Sequence, residues 1–527
     1  MTTPSDNKHV RSDTVASTNS VLGGQALSKS PISRESSTES QDSTSSATTS
    51  DIVPPLNAHP YRTLVLCFDG TGDQYAISFP YNLAALDQFF ITRFDSDNSN
   101  IVQLFTILKK DDKDQQMVYY QAGIGTYTSP QIATPLMAKF SKTVDMAIGW
   151  YLDAHVMGGY EFLMQNYKAN DRICIFGFSR GAYTARSLAG MIHKVGILPA
   201  CNHQQVPFAY KMFTRDDEIG YAQSAAFKKA FSVDATIEFV GVWDTVNSVG
   251  LVPHRLPFTT SNTLVKTFRH ALSLDERRAK FKANLWNPPS DYNHTEDVKD
   301  GGKHPHHHHR HLDLEHSRFY KDANQKTDIE EVWFAGCHCD IGGGSVSNTE
   351  TVNLARVPLR WMIRECFRTN TGILFHSEGL RSLGLNPDSL WPEVKPRPDP
   401  LPVTSAHIRR IPRNPPPSEE IAESSIFKTE EELDLEDALS PIYDQLSLAP
   451  GWWALEFWPV KNKFHDGSGK FVSEIGCNLG RARRIPRQKQ GVKIHRSVKM
   501  RMEAQYEDGG KYVPKAKFDP KYVTWID

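Results

Sequence analysis

The sequence has no run of about 18 apolar residues, the length a helix needs to cross a bilayer. Met1 is followed by polar residues rather than an apolar signal core, so neither a membrane span nor a Sec-type signal is expected. Cysteine is scarce and scattered: seven residues, at 67, 174, 201, 337, 339, 366 and 477, an odd number that fits no disulfide framework. Several lie inside apolar, strand-like runs, which predicts reduced thiols in an intracellular, cytoplasmic protein. Cys337 and Cys339 are two positions apart with no second pair, so a zinc site is not expected. Neither sign of charge dominates: 60 Lys plus Arg against 61 Asp plus Glu, a formal net charge of −1, which argues against nucleic acid as a partner. Apolar residues make up only 39% of 527, low for a compact enzyme of this length. Length alone predicts either one large domain with insertions or two to four units, and disordered segments are expected to dilute a normal core.

Those segments are visible. Residues 1–50 contain 22 Ser or Thr and almost no aromatics, so 1–58 is expected to be a disordered tail that cannot offset its ordering entropy. Residues 287–327 are polar and hold His304, His306–His309, His311 and His316. Residues 392–445 combine Pro runs with nine Asp or Glu between Glu419 and Asp437. Both read as mobile surface loops. The histidine run implies no fixed ligand geometry, so no metal is expected there. Between the insertions the chain alternates short apolar runs with helical stretches. The runs are Thr63–Phe68, Met117–Gln121, Ile173–Phe176, Ile237–Trp243, Thr267–Leu272 and Val332–Ala335; the helical patterns cover 135–167 and Ala182–Val195. Uninterrupted apolar strands separated by helices predict an α/β fold, with a mostly parallel sheet covered on both faces. The expected catalytic domain is 62–370. A C-terminal extension, 371–527, contains an aromatic and basic segment at 451–505.

The segment Gly177-Phe178-Ser179-Arg180-Gly181 follows one predicted strand directly and opens a predicted helix, the context required of a G-x-S-x-G nucleophile elbow. Its glycines permit the sharp turn that raises a serine hydroxyl above the sheet edge. A serine nucleophile needs a base, and the base needs an acid to orient it. Asp244 ends the run Ile237–Trp243, and His338 follows Val332–Ala335 in Gly336-Cys-His-Cys-Asp-Ile-Gly-Gly-Gly344. Both sit where strands terminate, the edge at which open α/β sheets bind ligands, in the order Ser–Asp–His. Asp275 also follows a strand and is the rival acid, unless it pairs with Arg278 at helical spacing. Asp340 can orient His338 or cap the glycine turn. Oxyanion donors are expected from the Arg180 N–H and from Gly70 and Thr71 in Asp69-Gly-Thr-Gly72, a loop lacking the Lys-Ser/Thr of a phosphate-binding P-loop. The nine Lys or Arg between Arg481 and Arg501, with no acid among them, read either as a solvated face offset by the acidic block or as a stretch attracted to anionic lipid headgroups. Trp452-Trp453-Ala-Leu-Glu-Phe457-Trp458 reads either as core or as a lid or interfacial anchor.

Together, Leu66-Cys-Phe-Asp-Gly-Thr71, Gly177–Arg186, Val242-Trp-Asp-Thr-Val246 and His338–Gly344 resemble the α/β-hydrolase domain of the first family of type VI secretion lipase effectors, over roughly 62–370. That resemblance implies a triad of Ser179, Asp244 and His338, no cofactor, and phospholipase-like ester hydrolysis. The Ser/Thr-rich head and the two insertions depart from the effectors and point to a eukaryotic, fungal-type relative whose substrate has drifted. A soluble ester or thioester, and a non-catalytic interaction module on the same fold, stay open as alternatives.

Overall fold

The computed structural model describes residues 51–70, 98–123, 141–246, 256–286, 326–348, 350–404, 406–412, 428–457, 459–465 and 471–527. Eight strands make the central sheet: β1 Thr63–Phe68, β2 Gln116–Gln121, β3 Arg172–Phe178, β4 Ile237–Trp243, β5 Val265–Ser273, β6 Asp328–Phe334, β7 Val492–His495 and β8 Val523–Ile526. Their spatial order is β8-β7-β6-β5-β4-β3-β1-β2, and every neighbouring pair is parallel. The expected α/β fold with a mostly parallel sheet is the one observed.

Strand periodicity divides the core. In β1, Leu64, Leu66 and Phe68 face one layer, where helices α2 (Ser141–Asn166) and α3 (Ser179–Val195) contribute Leu152, Val156, Tyr160, Leu188 and Ile192. Val65 and Cys67 face the other, against α1 (Asn100–Ile107) and α5 (Arg356–Arg368), with Ile101, Leu104, Trp361 and Met362. Burial on both faces is why these strands read as continuous apolar runs. Gly196 closes α3 at φ +70°.

Two expectations about the C-terminal third are corrected. No boundary near 370 sets off an extension, because Ser50–Asp527 is one unit and β7 and β8 complete the sheet beside β6. Nor is 392–445 a loop throughout: Glu430–Ala438 is helix α6, capped by Thr429 and Glu432. Its acids meet arginines far away in sequence. Asp434 and Asp437 bind Arg360 at 2.5 and 2.7 Å, Glu430 pairs with Arg364, and Arg397 reaches Asp434 at 2.8 Å. Residues 413–427, the tail 1–50 and the histidines at 304–316 lie outside the described residues.

Candidate active site

Strand β3 runs straight into α3, and the junction is Ser179, at φ +58°. A non-glycine residue at positive φ is strained and persists only where its surroundings impose it. Here they do. A Cβ on Gly177 would lie 2.5 Å from the Gly181 carbonyl oxygen, and one on Gly181 would lie 2.3 Å from the Phe68 oxygen and 2.5 Å from that of Asp69. Both glycines therefore let the elbow close against itself and against the end of β1.

Asp244, at φ +41°, ends β4 two strands away from β1, and His338 opens the short helix α4 (His338–Gly342) beyond β6. The structure brings the three together: His338 Nε2 lies 2.8 Å from Ser179 Oγ, and His338 Nδ1 lies 2.5 Å from Asp244 Oδ2. All three are buried. Burial opposes ionisation of Asp244, but the Arg483 guanidinium and His338 override it and hold the carboxyl well below the usual carboxylate range. An ionised carboxylate only accepts, so His338 Nδ1 carries the hydrogen and Nε2 accepts from the serine hydroxyl. The imidazole is thus oriented to take the Ser179 proton. Phe178 and Phe281 hold the ring, each with centroid 4.8 Å away. The His338 N–H donates to Glu276 at 3.3 Å, and Glu276 is paired with Arg278 at 2.9 Å.

The other predicted residues are placed as follows. The carboxylate that His338 Nδ1 meets is Asp244, and that of Asp275 is engaged otherwise: it accepts from the Gly336 and Lys515 N–H groups and the Tyr512 hydroxyl, and burial raises its pKa. Its suggested partner Arg278 binds Glu276 instead. Asp340 caps its own turn, accepting from the Cys337 and Tyr443 N–H groups at 2.8 and 3.0 Å, and burial pushes its carboxyl up to about 7. Arg180 sits beside Ser179 in the first turn of α3, the end where helix N–H groups point outward. Gly70 departs from expectation: it donates its N–H to Asp69 Oδ1 at 2.7 Å, a carboxylate also bound by Ser99 and Tyr120. Thr71 lies outside the described residues. The basic stretch is not one solvated face, since Arg483 and Arg501 are buried; Arg501 donates to the Ala438 and Ser440 carbonyls. Trp452 is half-buried against Phe281, while Phe457 is exposed.

Sequence reasoning missed Arg483, Phe281 and Glu276. Arg483 is one of nine cations in its stretch, and no spacing distinguishes it. Among the described residues, no group of three or more His, Cys, Asp or Glu could hold a metal ion, and no helix is long and apolar enough to cross a membrane.

Residues 62–365 match the family described as the type VI secretion system phospholipase effector Tle1-like catalytic domain, more than half of the chain. The chain belongs to this family. Among proteins resembling this Tle1-like chain is an uncharacterised protein of Saccharomyces cerevisiae, YEL023C, 26% identical over 571 residues, covering 86% of this chain and 80% of the yeast protein. Two solved structures are also similar. One, an uncharacterised protein from Pseudomonas aeruginosa, has a TM-score of 0.32 at 17% identity; the match covers 64% of this chain and 50% of that one. The other, the Tle1 effector bound to the VgrG spike of the type VI secretion system, has a TM-score of 0.26 at 20% identity and 56% coverage of each chain.

Proposed function

We propose that the protein is a serine hydrolase that cleaves carboxylic esters, with phospholipids or other lipid esters as substrate class. The observation that carries this reading is the single imidazole of His338 bridging Ser179 Oγ at 2.8 Å and Asp244 at 2.5 Å. In the mechanism, His338 Nε2 takes the Ser179 proton as Oγ attacks the ester carbonyl. The resulting oxyanion meets the Arg180 N–H at the N-terminus of α3. His338 returns the proton to the leaving alcohol, which departs and leaves an acyl-serine. Water, deprotonated by the same nitrogen, then releases the carboxylic acid and restores the hydroxyl. Asp244 remains ionised throughout and stabilises the imidazolium.

Lipid is favoured over soluble esters by family membership and by an exposed apolar surface on the segment whose Trp452 packs on Phe281, the ring that flanks His338. Phe457, Ile475 and Leu479 are exposed, and Cys477 Sγ donates to the Phe457 carbonyl and the Leu479 N–H to the Glu456 carbonyl. Exposed Arg481 and Arg484 follow directly, a combination suited to a peripheral, cytoplasmic enzyme at an anionic lipid surface. The test is labelling with a fluorophosphonate probe. Wild type is expected to label, while Ser179→Ala and His338→Ala do not; a folded Ser179→Ala protein that still turned over ester would overturn the mechanism.

A further inference from the structure

Asp244 accepts from partners besides His338. Its Oδ2 takes His338 Nδ1, and the remaining capacity is filled almost entirely by one residue, Arg483. The Arg483 Nη1 donates to Oδ1 and Nη2 to Oδ2, at 2.5 and 2.8 Å, a two-pronged bond; the Ser273 N–H completes the shell at 3.0 Å. The guanidinium is itself fixed: Nε and Nη2 both donate to the Phe281 carbonyl, at 3.0 and 2.6 Å, and the side chain is 4% exposed. Phe281 in turn packs its ring on His338. One cation thus clamps both the acid and the residue that flanks the base. It comes from beyond residue 365, where the family match ends.

We propose that Arg483 is a positioning residue of the Ser179–His338–Asp244 triad, acting through Asp244: its planar fork fixes the carboxylate in the one rotation that presents Oδ2 to His338. This rests on the triad reading above. The physical reason is geometric. A carboxylate held only by His338 and one N–H can swing about its terminal torsion, which is broad. A bidentate guanidinium removes that freedom in a way a point-like ammonium cannot.

The experiment measures kcat and KM on p-nitrophenyl butyrate, and the fluorophosphonate labelling rate, for wild type, Arg483→Met, Arg483→Lys, Asp244→Asn and Asp244→Asn/Arg483→Met. A shift of the acid by about 1 Å predicts a fall in kcat of about a hundredfold for Arg483→Met, with KM within about twofold. Arg483→Lys, which keeps charge but not the fork, should recover only part of that loss. Because Arg483 works through Asp244, the double variant should be no slower than Asp244→Asn alone. If Arg483→Met retains wild-type kcat, or if its loss multiplies that of Asp244→Asn, the proposal is wrong. Should Arg483→Met not fold, the double variant, with no buried carboxylate left uncompensated, decides by the same comparison. Failure of the triad reading looks different: Ser179→Ala and Asp244→Asn would then both keep wild-type turnover.

Discussion

Substituting Gly181 by alanine tests whether the elbow depends on contact with the end of β1. The added Cβ would meet the Phe68 oxygen at 2.3 Å, the Asp69 oxygen at 2.5 Å and the Phe68 carbonyl carbon at 2.7 Å. All three are backbone atoms, so no side chain can rotate away. Opening the 2.3 Å approach to 3.0 Å requires about 0.7 Å of relative movement between α3 and β1. Overpacking of this kind costs about 1–3 kcal/mol, and a backbone clash belongs at the upper end. The displacement falls on the first turn of α3, which holds Ser179 and Arg180. A shift of that size at a reacting group predicts a loss in kcat of roughly ten- to a hundredfold. Urea unfolding gives the stability term and p-nitrophenyl butyrate hydrolysis the rate. Gly510→Ala, whose Cβ would meet nothing nearer than 3.4 Å, is the control and should leave both unchanged. A Gly181→Ala protein with wild-type kcat and midpoint would refute the claim that the elbow is shaped by this contact.

Three further outcomes are expected. Burial raises the Asp340 carboxyl from 3.8 to about 7, so the folded chain holds a proton that the unfolded chain has lost between those values. Stability from this group is therefore complete below about pH 4 and lost as pH rises toward about 7; Asp340→Asn should flatten that part of the melting-temperature profile, and an unaltered slope would contradict it. Arg360→Met strips the shared cation from buried Asp434 and Asp437 and should cost about 3–5 kcal/mol by urea titration, whereas a loss below about 1 kcal/mol would show those carboxylates to be neutralised otherwise. Replacing Phe457 and Ile475 together by serine should weaken binding to anionic phospholipid vesicles several-fold while leaving p-nitrophenyl butyrate turnover intact; equal binding would remove the lipid-surface role.

Much of the fold and the grouping of Ser179, Asp244 and His338 was legible because each piece is local. A strand buried on both faces is a short apolar run, the elbow is five consecutive residues, and the three side chains each stand at a strand end. What stayed hidden depends on pairs distant in sequence. Asp244 and Asp275 follow neighbouring strands, and only the bonds from Tyr512 and Lys515 show that the Asp275 carboxylate is engaged by a segment distant in sequence. The acids of α6 resembled a solvated loop because their arginines lie at 360, 364 and 397. Gly70 looked like an oxyanion donor; nothing in a turn sequence reveals that the preceding aspartate takes its N–H.

The pairing of β7 beside β6 also bears on the order in which the protein is made. Lys493 and Ile494 align with Val332 and Trp333, so until residues 492–495 have left the ribosome the nascent sheet ends at β6, with Trp333 and Phe334 on an open, hydrogen-bonding margin. A fragment stopped at residue 365 would keep that margin permanently and would lack the cation that faces Asp244. Vectorial synthesis thus leaves a waiting period of well over a hundred residues between the appearance of His338 and that of its finished surroundings, during which the half-built sheet keeps an unpaired edge.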